Sequence, residues 1–184
     1  MRVISGSARG KQLTPVPGKD TRPTTDRVKE SVFNILQMAI PGCDMLDLFA
    51  GTGQIGIEAL SRGAAHAVFC DAASKAQAVI RKNLAAARVE DRAELIGKDY
   101  VSALRHLQGR QFDVIFLDPP YGGKILNFAL KSLESFDILR AGGILICESS
   151  VQDEIECPVS MRVRKQYKYG AIRLTSIVRA DEEE

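Results

Sequence analysis

Four consecutive residues near the middle of the chain, Asp118-Pro119-Pro120-Tyr121, have the types and the spacing for chemistry on a planar amine. They follow the apolar run 112–117, which predicts a buried strand, and the two prolines force the chain out of the sheet. The Asp118 carboxylate and the Pro119 carbonyl can accept the hydrogens of an exocyclic NH2 group, while the Tyr121 ring stacks on the base that bears it. On its own, the tetrapeptide also fits a stiff loop whose tyrosine only packs.

A second motif, Gly51-Thr52-Gly53-Gln54-Ile55-Gly56, lies between a predicted strand and a predicted helix. It has the GxGxxG pattern of dinucleotide-binding loops, in which the glycines let a ligand approach the backbone at a helix N-terminus. Asp71 follows at the distance, about 20 residues, typical of the acid that accepts from ribose hydroxyls. Taken alone, this motif predicts NAD as readily as any other adenosine cofactor.

Three carboxylates favour S-adenosylmethionine over NAD. Asp47 precedes the glycine loop, where it suits a positively charged amino group and would repel a pyrophosphate. Asp99 ends the third predicted strand and can accept a hydrogen from an adenine amine. Asp118 belongs to an amine-binding turn that hydride transfer does not need. The alternatives are structural, with Asp47 capping the loop and Asp99 serving as a helix N-cap.

Strand and helix patterns alternate along most of the chain. This alternation predicts an α/β fold with a doubly wound, mostly parallel sheet, whose strand carboxyl ends bind ligands. A closing pair of alternating segments, joined at Gly170, predicts an antiparallel hairpin at one edge of that sheet. The predicted strands are 45–49, 67–70, 93–96, 112–117, 144–147, 161–169 and 172–178, and the predicted helices are 54–61, 74–87, a short one through Leu104 and Leu107, and about 125–136.

Residues 1–42 stand outside this alternation. Two short β-like runs, 2–5 and 11–16, flank a glycine-rich basic tip and predict a small hairpin. A helix with one apolar face follows, and residues 21–26 contain its cap. We therefore expect an N-terminal appendage, 1–42, and a main domain, 43–184.

Charge is unevenly distributed although the 184-residue chain has a net charge of only +2. Residues 1–34 carry seven Lys and Arg against three acids, and residues 162–173 carry five without an acid. Two basic ends favour a polyanionic partner, although a solvated face explains either stretch alone. No apolar run is long enough for a signal peptide or a membrane span, and the four cysteines are scattered. The sequence thus predicts a cytoplasmic protein without a membrane association or a metal site.

The motifs together resemble one family. The segments 47–53 and 57–64, the Asp-Pro-Pro-Tyr turn, and the opening 2–6 with 21–24 are similar to the RsmD family of 16S ribosomal RNA guanine-N2 methyltransferases. This chain departs from the pattern we expect at Thr52 and Gln54. The resemblance implies a class I methyltransferase fold, S-adenosylmethionine as cofactor, and a guanine in 16S rRNA, free or within an assembling small subunit, as substrate.

The motifs, considered with this resemblance, indicate roles for individual residues. Those expected in catalysis are Asp118, Pro119, Pro120 and Tyr121; those expected to bind the cofactor are Asp47, Phe49, Ala50, Gly51, Thr52, Gly53, Gly56, Asp71, Ala72, Asp99, Tyr100 and Asp118; and those expected to bind RNA are Arg2, Arg9, Lys11, Arg22 and Thr24. Two alternatives remain at this point. One is an amino-methyltransferase for another RNA, a protein side chain or a small molecule, and the other is a non-catalytic RNA-binding or ribosome assembly factor.

Overall fold

A computed structural model describes residues 1–18, 25–120 and 123–180. A seven-stranded sheet with the order β3-β2-β1-β4-β5-β7-β6 forms its centre. The helices are α1 (Asp26–Ile35), α2 (Gln54–Ser61), α3 (Ser74–Ala87), α4 (Tyr100–His106) and α5 (Gly123–Ser135), and the strands are β1 (Asp44–Asp47), β2 (His66–Cys70), β3 (Ala93–Ile96), β4 (Phe112–Leu117), β5 (Leu139–Ser150), β6 (Met161–Tyr169) and β7 (Ile172–Arg179).

The sheet reverses its winding at β1. Strands β1 to β5 pair in parallel, with β2 and β3 on one side of β1 and β4 and β5 on the other. In such a sheet a crevice opens at the carboxyl ends of the two strands where the order reverses. Here these strands are β1 and β4, so the crevice lies beside Asp47 and Asp118.

Side chains alternate between the two faces of the sheet and form two apolar clusters. The first cluster packs the N-terminal segment and helices α1 to α3 against one face, through strand residues such as Phe69 and Phe116. The second packs α4 and α5 against the other face, through residues such as Ile115 and Leu145. The doubly wound, mostly parallel sheet with an antiparallel hairpin, β6–β7, is confirmed.

Two strands differ from their predicted bounds by more than one residue. Strand β1 ends at Asp47 rather than Phe49, because the glycine loop leaves the sheet two residues earlier. Strand β5 begins at Leu139 rather than Ile144, so the Gly142-Gly143 pair lies within a strand instead of before it. A side chain at Gly143 would lie 2.7 Å from the Arg140 carbonyl oxygen, and the register with β4 shifts at this point. The glycines therefore mark an irregular strand, not its start.

The N-terminal hairpin is smaller than predicted. It contains a single antiparallel bridge, between Arg2 and Gln12, supported by hydrogen bonds from Val3 N to the Lys11 carbonyl (2.9 Å) and from Leu13 N to the Met1 carbonyl (3.0 Å). Between the two runs, Ile4 N and Ser5 N bond to the Glu58 carboxylate and Ala8 N to the Ser61 hydroxyl, both on α2, instead of to a second strand. The N-terminal segment is thus held by α2. Its residues Val3, Ala8 and Leu13 pack in the first apolar cluster together with α1, α2 and α3.

Gly6 marks the closest approach of this segment to α2. Its φ of +85° is in the left-handed region, and a Cβ there would lie 1.8 Å from the Ser61 carbonyl oxygen. Ser7 N donates to that same carbonyl at 2.8 Å, and the Ser61 hydroxyl donates to the Ser5 carbonyl at 2.6 Å. Only glycine allows these bonds to form.

We expect the substitution Gly6→Ala to lower the free energy of unfolding by about 2–4 kcal/mol, because the methyl group must displace the segment from α2. Urea denaturation measures the loss. Gly10→Ala is the matched control, since Gly10 has a similar φ of +82° but no atom within 4 Å of its would-be Cβ. It should cost only about 1 kcal/mol. Equal losses in the two variants would contradict the close contact with Ser61.

Candidate active site

The glycine loop connects β1 to α2 at the crevice. Leu48 N donates to the Phe116 carbonyl at 3.2 Å and Ala50 N to the Cys70 carbonyl at 2.9 Å, which fixes the loop between β4 and β2. Gly51 and Gly53 have φ values of +56° and +77°, and Gly53 is the N-cap of α2. The loop therefore turns sharply and points the N-terminal end of α2 at the crevice.

Gly56 brings α2 close to the sheet. A Cβ at this position would lie 2.3 Å from the ring of Phe69 on β2. This is the role of the third glycine in GxGxxG loops, which allows close packing of helix and strand. The three glycines of the predicted motif therefore have the conformations and the close packing that a GxGxxG loop requires.

Asp47 is the most deeply buried carboxylate of the crevice, with 1% of its surface exposed. Its Oδ2 accepts a hydrogen bond from Gly56 N at 3.2 Å, so it caps the first turn of α2, one of the alternatives foreseen. Burial raises the pKa of Asp47 to about 7; the hydrogen bond from Gly56 opposes this rise, and the charges of Asp118 and Asp71 add to it. A cation placed beside Asp47 would offset the cost of its ionisation.

Asp71 lies on the other side of the glycine loop. Its Oδ2 accepts from Gly51 N at 2.9 Å and its Oδ1 from Ala73 N at 2.9 Å. The carboxylate is half-exposed, and each oxygen keeps a further lone pair for another donor. Ala72, beside it, is exposed. This arrangement fits the predicted contact with ribose hydroxyls.

Asp99 is the N-cap of α4, accepting from Ser102 N at 3.0 Å, which is the structural alternative foreseen for it. Hydrogen bonding to Ser102 lowers the pKa of Asp99 and keeps it ionised. The next residue, Tyr100, packs against Phe49 of the glycine loop, with ring centroids 5.4 Å apart. The structure thus brings together two predicted cofactor residues that are 51 positions apart in sequence, and they form an aromatic wall at the crevice.

Asp118 continues β4 beyond its last residue, Leu117, and lies half-buried next to Asp47. Burial raises the pKa of Asp118 to about 6. Pro119 is half-buried and Pro120 exposed, so the start of the turn faces the crevice. The predicted catalytic residue Tyr121 lies outside the described residues.

The predicted RNA-binding residues of the N-terminal segment are on the surface. Arg2, Arg9 and Lys11 are exposed, and Arg2 forms a solvent-exposed ion pair with Asp26 at 3.7 Å. Such a pair contributes little to stability and leaves Arg2 able to exchange partners. Arg22 and Thr24 lie outside the described residues.

Sequence reasoning missed a buried ion pair that fixes this segment. Lys29 and Glu58, both 0% exposed, lie 3.5 Å apart, and Lys29 also donates to the Arg2 carbonyl. Glu58 accepts from Ile4 N at 2.8 Å and from Ser5 N at 2.9 Å. Burial lowers the pKa of Lys29, and Glu58 opposes that shift. A signal existed, because Glu58 is the only charged residue of α2, a helix whose other residues are mostly apolar.

Asn83 on α3 is a second residue that sequence reasoning missed. Its Oδ1 accepts from Thr14 N at 2.7 Å, and its Nδ2 donates to the carbonyls of Thr14 (3.0 Å) and Thr52 (2.9 Å). The side chain is buried, with 1% exposed. Asn83 therefore joins the N-terminal segment directly to the glycine loop, and no local pattern in the sequence indicates this contact.

Within 1–18, 25–120 and 123–180, no group of three or more His, Cys, Asp or Glu side chains is arranged to hold a metal ion. Among the same residues, no helix is long and apolar enough to cross a membrane.

A family model described as Conserved hypothetical protein 95 matches residues 1–178. The chain belongs to this family. Its similarity to the RsmD enzymes is confirmed by a relative named Ribosomal RNA small subunit methyltransferase D from Escherichia coli strain K12, which is 36% identical over 83% of this chain and 76% of its own. A relative named Putative rRNA methyltransferase YlbH, from Bacillus subtilis, is 42% identical over 86% of each chain.

A solved structure supports the fold of this RsmD-family chain. It is the putative methyltransferase yhhF from Escherichia coli, which superposes with a TM-score of 0.85 at 33% identity over 97% of each chain. The protein therefore has the class I methyltransferase fold predicted from sequence.

Proposed function

We propose that this RsmD-family protein transfers a methyl group from S-adenosylmethionine to the N2 amine of a guanine in 16S ribosomal RNA. The observation that carries the proposal is the meeting of the glycine loop, Asp47 and Asp118 at the point where the sheet reverses. The names of the relatives, which specify rRNA and the small subunit, support the class of substrate. An rRNA substrate also accords with a cytoplasmic enzyme.

The chemistry of the site fits S-adenosylmethionine better than NAD. Asp47 and Asp118 are carboxylates whose pKa values are raised by burial, and both favour a cationic ligand over a pyrophosphate. S-adenosylmethionine, when bound, supplies an electrophilic methyl group on a positively charged sulfur. Asp47 would hold its amino group, Asp71 its ribose, and Phe49 and Tyr100 its adenine, with Asp99 accepting from the adenine amine.

Asp118 and the Pro119 carbonyl would act on the substrate. The lone pair of the guanine N2 amine is delocalised into the ring, which makes this amine a weak nucleophile. When Asp118 and the Pro119 carbonyl accept its two hydrogens, the lone pair becomes localised on the nitrogen, perpendicular to the ring, and the proton that the nitrogen loses on methylation passes to Asp118. Tyr121 would stack on a base that has been turned out of its RNA context. Positioning supplies the rest of the rate increase.

The N-terminal appendage, 1–42, would bind the RNA. The exposed side chains of Arg9 and Lys11 extend from the turn that Glu58 and Asn83 fix beside the glycine loop. Arg2, Arg22 and Thr24 complete the predicted contacts. Because Asn83 connects this segment to Thr52, the RNA phosphates and the cofactor would be aligned through one rigid set of hydrogen bonds.

RNA binding should weaken steeply with salt. Each phosphate contact made by Lys or Arg releases counterions, so log K falls linearly with log salt concentration. Replacing both Arg9 and Lys11 with alanine should make that slope shallower by about 1–2. Fluorescence anisotropy with a labelled rRNA fragment measures it. Alanine at both Arg105 and Lys131, two exposed cations on the opposite face of the sheet, is the matched control and should leave the slope unchanged. A slope equal to wild type in the Arg9/Lys11 variant would contradict the assignment.

Transfer of labelled methyl from S-adenosylmethionine tests the proposal. The acceptors are deproteinised 16S RNA and partly assembled small subunits, both from cells lacking the enzyme. We expect N2-methylguanine in at least one of them, and the acceptor that is labelled identifies the assembly state recognised. Label in adenine, in protein, or in neither acceptor would contradict the proposal.

A further inference from the structure

Glu148 lies on β5, one residue beyond the last position of that strand that pairs with β4. Its neighbour Cys147 belongs to the apolar cluster beneath α4 and α5, and Ile146 to the cluster on the opposite face. Side chains alternate along a strand, so Glu148 lies on the face of Ile146. Its partner across the antiparallel pair with β7, Leu174, belongs to that same cluster. Glu148 is half-buried.

The strand register places Glu148 next to Asp118. Leu117 of β4 pairs with Cys147 of β5, so the residues that follow, Asp118 and Glu148, continue side by side. Asp118 lies on the face of Phe116, which is the face of Ile146. Adjacent strands are about 4.8 Å apart, so two carboxylates that leave neighbouring strands on one face reach the same small ligand.

The turn at Asp118 accepts the hydrogens of an exocyclic amine but does not identify the base. Adenine presents an amine beside an N1 that has a lone pair, whereas guanine presents an amine beside an N1 that carries a hydrogen. An ionised carboxylate accepts hydrogens and donates none. A carboxylate facing N1 therefore binds guanine and repels adenine, and a buried polar group left without its partner is the strongest basis of such discrimination.

We propose that Glu148 selects guanine by accepting the N1 hydrogen of the target base while Asp118 and the Pro119 carbonyl accept from its N2 amine. This inference rests on the proposed function and adds the residue that determines base identity. The carboxylates of two neighbouring strands thus have different roles. Asp118, at the end of β4, acts on the amine, and Glu148, on β5, recognises the ring nitrogen beside it.

The inference can be tested with two substrates that share the reacting amine. One is an rRNA fragment with guanine at the target position, and the other has 2-aminopurine there, which keeps the N2 amine but has a lone pair instead of a hydrogen at N1. Wild-type enzyme should prefer guanine in kcat/KM by about 10- to 100-fold, the effect of one hydrogen bond to a charged group. The substitution Glu148→Gln gives a side chain that can both donate and accept. It should reduce the preference to a few fold or reverse it.

Comparing the preference between variants cancels the intrinsic difference in reactivity of the two amines. Glu154→Gln makes the same substitution at an exposed position and should keep the wild-type preference. Equal affinity of Glu148→Gln and wild type for S-adenosylhomocysteine shows that the variant is folded. A preference unchanged by Glu148→Gln would overturn this inference alone. Failure of wild-type enzyme to methylate either RNA would overturn the proposed function, and the inference with it.

Discussion

The substitution Asp118→Ala lowers methyl transfer by about 100- to 1,000-fold, the effect of removing one preorganised hydrogen-bonding group from a site where charge develops. Affinity for S-adenosylmethionine stays within a few fold, because Asp47 and Asp71 remain in place at the glycine loop. Single-turnover rates with rRNA and calorimetric titration with S-adenosylhomocysteine measure the two quantities. Asp118→Asn keeps one neutral acceptor and should lose less, about 10-fold.

Asp91→Ala is the matched control for this experiment, since Asp91 is an exposed aspartate in the turn 90–92, before β3. It should keep wild-type turnover. Near-normal turnover in Asp118→Ala would contradict the role of Asp118. A parallel loss of S-adenosylhomocysteine binding would instead make Asp118 chiefly a cofactor ligand, and the account of amine activation would fail.

The substitution Asp47→Asn should raise stability and weaken cofactor binding together. Burial raises the pKa of Asp47 to about 7 in the folded protein, against about 3.9 in an unfolded chain. Between these two values the folded state binds more protons than the unfolded state, so ionisation of Asp47 makes wild type less stable as pH rises from 4 to 7. Above pH 7 the wild-type protein keeps this loss in its free energy of unfolding, because Asp47 is ionised in both states. Asparagine cannot ionise, and its amide oxygen still accepts from Gly56.

At pH 8 without ligand, we expect Asp47→Asn to be more stable than wild type by on the order of 2–4 kcal/mol, and at pH 5 by much less. Urea denaturation at the two pH values measures this. Affinity for S-adenosylmethionine should fall about 10- to 100-fold, because the cationic amino group loses its charged partner. Lower stability of Asp47→Asn at pH 8 than wild type would show that Asp47 has another stabilising contact and would contradict the account.

The predicted effects of these substitutions indicate that the buried carboxylates lower the stability of the free protein and strengthen the binding of a cationic ligand. Asp47 and Asp118 are brought next to each other at β1 and β4, where burial opposes the ionisation of both and the charge of Asp118 further opposes that of Asp47. Carboxylates that are costly in the free protein bind a cationic ligand more strongly, because that ligand relieves both penalties. The crevice is preorganised for positive charge before any ligand enters it.

The sequence predicted the parts of this fold that depend on local pattern. Short apolar runs bounded by Gly, Pro or Asp mark the strands, and the glycines of 51–56 mark the loop between β1 and α2, because turns and helix starts need particular residues. The alternation of strands and helices predicted a mostly parallel sheet, in which the carboxyl ends of the strands meet at one edge. Asp47 and Asp118 could therefore be placed at one edge of the sheet without coordinates.

Contacts between distant positions could not be predicted in this way. Lys29 was expected on a helix whose apolar face was recognised, but its burial depends on Glu58, 29 residues later. Asn83 was expected only to lie on the helix 74–87, and its three bonds to Thr14 and Thr52 depend on where the N-terminal segment crosses α3. A periodic pattern shows which face of a helix is buried but not which partner satisfies a polar group there.

The nucleosides of 16S rRNA test the central claim most directly. We would analyse, by mass spectrometry, 16S rRNA from cells that lack this gene and from the same cells carrying either the wild-type gene or Asp118→Ala. The account predicts one N2-methylguanine that is absent without the gene, restored by wild type, and not restored by Asp118→Ala. An unchanged set of N2-methylguanines in all of these cells would contradict it.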